Sequence, residues 1–73
     1  MNKDEEKFLS EVFESVRPYL AYPSEFKDKM EEVSSKSSSI GEIESRFETL
    51  IAEENDPSLK SDYRIFLNKL KAR

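Results

Sequence analysis

The sequence predicts an all-α fold, a small four-helix array or bundle with a short second helix. Three observations carry this. Large apolar residues recur at helical spacing in four separate stretches. Most of these stretches open on a residue suited to starting a helix. The 73 residues contain only one glycine and no sustained alternation of polar and apolar residues, which argues against a sheet.

The first segment is expected at about residues 4–20. Asn2 can cap it, with Glu5 in the capping-box position, and Asp4, Glu5 and Glu6 suit the positive end of the helix dipole. Phe8, Leu9, Val12, Phe13, Val16, Tyr19 and Leu20 form a stripe wide enough for contact with several neighbours. Phe8 and Phe13 lie near its opposite edges, which suggests that both would not fit one intrachain core. Pro18 disfavours helical geometry at Arg17, so the helix should end near Arg17 or continue with a kink to Leu20.

A second helix is expected at 23–34. Pro23 suits its first turn, and Phe26, Met30 and Val33 give a thin stripe that should lean on the first helix. The serine-rich stretch 34–39 reads as a polar connection and as the one plausible flexible link. Ser39 and Glu42 then form a capping box for a third helix at 40–54, whose stripe is Ile40, Ile43, Phe47, Leu50 and Ile51. Gly41 costs little in a first turn and would admit a close backbone neighbour. Glu42 and Arg46 are spaced to pair. Asp56 can cap a fourth helix at 57–71, with Pro57 as its first residue. A regular up-down bundle is the leading arrangement, and a three-helix core strapped by the second helix is the alternative.

Residues 1–73 are read as a single helical domain, short enough that its stability should be small. Absence of cysteine and histidine removes thiolate and imidazole chemistry, and with it catalytic triads and the usual zinc ligands. No Gly-rich phosphate loop is present. The acidic run 53–56 lacks the spacing of a calcium loop and reads as a helix end followed by a cap. No catalytic residue, metal site or cofactor is therefore expected, and the chain is read as a non-enzyme. The N-terminus lacks the features of a secretory signal and no apolar run approaches a membrane span, so a cytoplasmic setting is expected.

Charge is unevenly distributed. Residues 1–58 carry a balance of -8, whereas residues 59–73 carry +4, within a net charge of -4. The fourth helix sets an apolar stripe (Leu59, Tyr63, Phe66, Leu67, Leu70) against a polar face with Lys60, Asp62, Arg64, Lys69, Lys71 and Arg73. Ile65 falls away from the stripe, beside Arg64. Lys60, Arg64, Ile65, Lys69 and Arg73 are therefore the candidate partner-binding residues, suited to an acidic protein. Basic residues near the helix C-terminus also complement its dipole without any partner.

The functional expectation is a small acidic protein-interaction module, inhibitor-, immunity- or adaptor-like. A homo-oligomeric structural protein is the rival, with a homodimer as the partner. Nucleic acid is a weaker candidate, because fifteen acidic residues precede the basic helix.

Overall fold

The computed structural model describes residues 1–72 and shows an all-helical four-helix array. Helix α1 spans Lys3–Val16, α2 Pro23–Ser35, α3 Ile40–Glu53 and α4 Pro57–Lys71, with a 3₁₀ turn at Arg17–Tyr19. At 13 residues α2 is the shortest of the four.

The helix starts follow from local hydrogen bonding. Asn2 Oδ1 accepts from the Glu5 amide at 2.8 Å, and Glu5 Oε1 accepts from the Asn2 amide at 3.3 Å, completing the capping box. At α3, Ser39 Oγ accepts from the Glu42 amide, but the Glu42 carboxylate turns to the Ser38 hydroxyl. That contact, first of all, holds its pKa below the ordinary carboxylate value. Arg46 accordingly donates to the Lys36 carbonyl at 3.1 Å. Asp56 Oδ1 accepts from the Ser58 and Leu59 amides at the start of α4. Glu54 Oε2 accepts from the Asn55 and Asp56 amides, each at 3.1 Å. The acidic run 53–56 is thus used at the α3–α4 link.

The α-helical part of the first segment ends at Val16 with Arg17 as its cap, the first of the two expected endings. Pro18 has no amide to continue the ladder. Arg17 nevertheless keeps helical angles (φ -47°, ψ -45°), and the chain tightens into 3₁₀ geometry before Leu20 becomes extended. Several hydroxyls of the serine-rich stretch are engaged locally. Ser35 and Ser37 hydroxyls donate back to the Glu32 and Val33 carbonyls, and Ser37 is buried. Gly41 meets no neighbouring backbone; an added Cβ would lie 3.8 Å from Ser39 Oγ, an ordinary contact.

Helix α4 packs most extensively on α3 and then α1. Helix α2 reaches all three through Phe26, which is fully buried. Its ring lies 6.0 Å from Phe13, 5.7 Å from Phe47, 6.0 Å from Tyr63 and 5.0 Å from Phe66, centroid to centroid. Phe26 therefore sits inside a core that all four helices share. Phe13 is buried and Phe8 half-buried against the same core, so one chain accommodates both rings. The steric premise for a second copy is therefore not needed.

Candidate interaction surface

Asp62 corrects the expected polar face of α4. It is buried, with 1% of its surface exposed, although the spacing placed it among the basic residues. Its Oδ1 accepts from the Ala21 amide and its Oδ2 from the Tyr22 amide, both at 2.8 Å. These amides precede α2, beyond the reach of any helical ladder, and Tyr22 supplies no side-chain cap. A carboxylate from α4 therefore ties down the chain where it enters α2. Two bonds to a charged acceptor offset the cost of burying that charge.

The segment held in this way carries the exposed aromatic surface. Tyr19 is 74% exposed and Tyr22 39%, whereas the large side chains of the core turn inward. Arg17 stands beside them, 3.6 Å from Glu14, with both of those side chains well exposed. Leu20 is buried and anchors the middle of the turn. An open hollow of about 360 Å³ separates the turn from α4 and is lined by Tyr19, Ala21, Pro57, Ser58 and Ser61.

Helical geometry then divides the candidate residues of α4. At about 100° per residue, Lys60, Arg64 and Lys71 fall within about 40° of one another. This flank faces α3, because Lys71 pairs with Glu48. Lys69 lies about 180° from Lys60, on the other side. Ser61, Ile65 and Lys69 form an i, i+4 row that continues from the hollow beside Tyr19. Ile65 is half-buried against the core and not a free-standing anchor. Lys60 is half-buried, while Arg64 and Lys69 are exposed. The four described candidates therefore do not form one patch, and Arg73 lies outside the described residues.

The exposure of Tyr19 is not what its helical spacing implies, since that spacing assigns it to the first stripe. Pro18 was the signal available: a helix that stops there no longer holds Tyr19 on the face of the first stripe, although Leu20 still turns into the core.

Among the described residues no group of three or more acidic side chains is arranged to hold a metal ion. No helix among the described residues is long and apolar enough to cross a membrane. A family model, the MJ1579 family, matches residues 3–73. No curated protein and no solved structure matches the chain.

Proposed function

The chain belongs to the MJ1579 family, and from its surface chemistry we propose a small helical module that acts by binding a protein partner rather than by catalysis. The 17–22 turn and the adjoining row of α4 are the binding surface. The observation that carries this reading is the exposure of Tyr19 and Tyr22 on a turn held by Asp62. Tyrosine and arginine are favoured at the centres of protein interfaces, since they combine large contact area with directional hydrogen bonds. A turn already fixed loses little conformational entropy on docking. Ile65 and Lys69 extend the surface along α4, whereas Lys60 and Arg64 lie on the flank beside α3.

The test is quantitative capture from the native cell, comparing the wild type with a Tyr19→Ser/Tyr22→Ser double variant and with Lys60→Glu/Arg64→Glu. The turn variant should lose a specific protein partner, and the flank variant should retain it. Loss only with the flank variant would move the site to the α3 side of α4. Equilibrium sedimentation of the same proteins identifies a second copy as the partner if self-association disappears with the two tyrosines.

A further inference from the structure

A second surface shares no lining residue with the hollow beside Tyr19. Helices α2 and α3 leave between them a groove of about 250 Å³. Its floor is Val33 and Leu50, and its rim is Lys29, Glu32, Lys36 and Arg46. Three cations and one anion give this rim a charge of +2, within a protein of net charge -4.

The state of the rim matters. Glu32 lies between the two lysines, 3.4 Å from Lys29 Nζ and 3.3 Å from Lys36 Nζ. Both separations are long for charge-assisted bonds, and all three side chains are at least one-third exposed. The pairs are thus readily exchanged for contacts with an incoming carboxylate. Arg46 spends one donor on the Lys36 carbonyl. A guanidinium has five N–H donors, so that bond fixes the group at the rim while leaving capacity for a further acceptor.

We propose that this groove seats an acidic peptide segment of a protein partner, with one apolar side chain between Val33 and Leu50 and flanking carboxylates on Lys29, Lys36 and Arg46. Size and charge select this occupant. The volume is below the roughly 300–1,000 Å³ typical of small-molecule sites, but it accommodates a leucine-sized side chain. A positive rim around an apolar floor favours acidic partners and disfavours basic ones. On the α3 flank of α4, by contrast, Lys71 is engaged by Glu48. This surface is separate from the tyrosine turn, and neither proposal depends on the other.

The test is a titration of the ¹⁵N-labelled protein, followed by amide chemical shifts. The probe is the capped peptide Glu-Glu-Leu-Glu-Glu; the controls are Gln-Gln-Leu-Gln-Gln, Glu-Glu-Gly-Glu-Glu and free 4-methylpentanoate. The acidic leucine peptide should shift the amides of 29–36 and 46–50 and saturate at about millimolar concentration or below. The three controls should not saturate. Glu32→Gln, which frees both lysines, should tighten binding about two- to fivefold. Arg46→Glu should abolish saturation while leaving the helical circular dichroism intact. Non-saturating shifts, an equal response to the glutamine peptide, shifts centred outside the groove, or unchanged affinity in Glu32→Gln would each overturn the proposal. Saturation by 4-methylpentanoate alone would replace the peptide with a small carboxylic acid.

Discussion

Replacing Asp62 tests the physical basis of the tyrosine turn. Its carboxylate accepts two backbone amides at 2.8 Å while itself nearly inaccessible to water. A hydrogen bond to a charged group contributes about 1.5–3 kcal/mol, so losing two would cost about 3–6 kcal/mol if nothing relaxed. Ala21 and Tyr22 are exposed residues, and their amides can regain water once the turn opens. That relaxation reduces the expected cost of Asp62→Ala to about 2–4 kcal/mol. Asp62→Asn preserves the shape but presents a donor to one of the two amides, and should cost about 1.5–3 kcal/mol. Against a total stability of roughly 4–11 kcal/mol for a chain of this length, either loss is large. Urea unfolding followed by circular dichroism measures the stability. Native-state hydrogen exchange at Ala21 and Tyr22 reads the turn directly, and its rate should rise at least about tenfold, corresponding to 1.4 kcal/mol. A stability change under about 0.5 kcal/mol for Asp62→Ala, with unchanged exchange at both amides, would refute the reasoning.

Further expectations concern the rest of the array. Gly41→Ala should stabilise the protein by about 0.5 kcal/mol, because the site has room and needs no positive φ; the melting temperature should rise about 2–4 °C. Tyr63 is buried, and burial first, then Glu54, Asp62, Glu25 and Glu32, raises its pKa above the ordinary value of about 10. The fold favours the neutral phenol, so this contribution is complete below pH ~10 and is lost as pH rises toward the raised value. Thermal melts from neutral to strongly alkaline pH should therefore fall more steeply for the wild type than for Tyr63→Phe. A double-mutant cycle with Lys71→Gln and Glu48→Gln should give a coupling of about 0.2–1 kcal/mol that shrinks in high salt, since both side chains are about half exposed.

The helices were legible because their signals are local. Asn2 with Glu5, Ser39, Asp56 and Pro57 marked starts that the backbone uses, and the apolar stripes of α2, α3 and α4 all face the core. What sequence could not supply depends on neighbours. Phe26 looked like one member of a thin stripe, yet it becomes the contact of α2 with every other helix. The spacing of Asp62 gave no sign that two amides 40 and 41 positions away would need its carboxylate. Ser37 looked like part of a flexible link until its hydroxyl found the Val33 carbonyl. The candidate basic face of α4 split because one flank meets α3 while Ile65 and Lys69 continue the row beside the turn. Charge counted along the chain cannot distinguish those sides.

The proposed docking of a protein partner on Tyr19 can be tested directly. Placing a photo-crosslinking benzoylphenylalanine at position 19 and, separately, at the exposed Glu11 tests it in the native cell. Irradiation should give a discrete protein adduct from position 19 and none of comparable yield from position 11. No adduct at 19, or equal labelling at both positions, would contradict the claim.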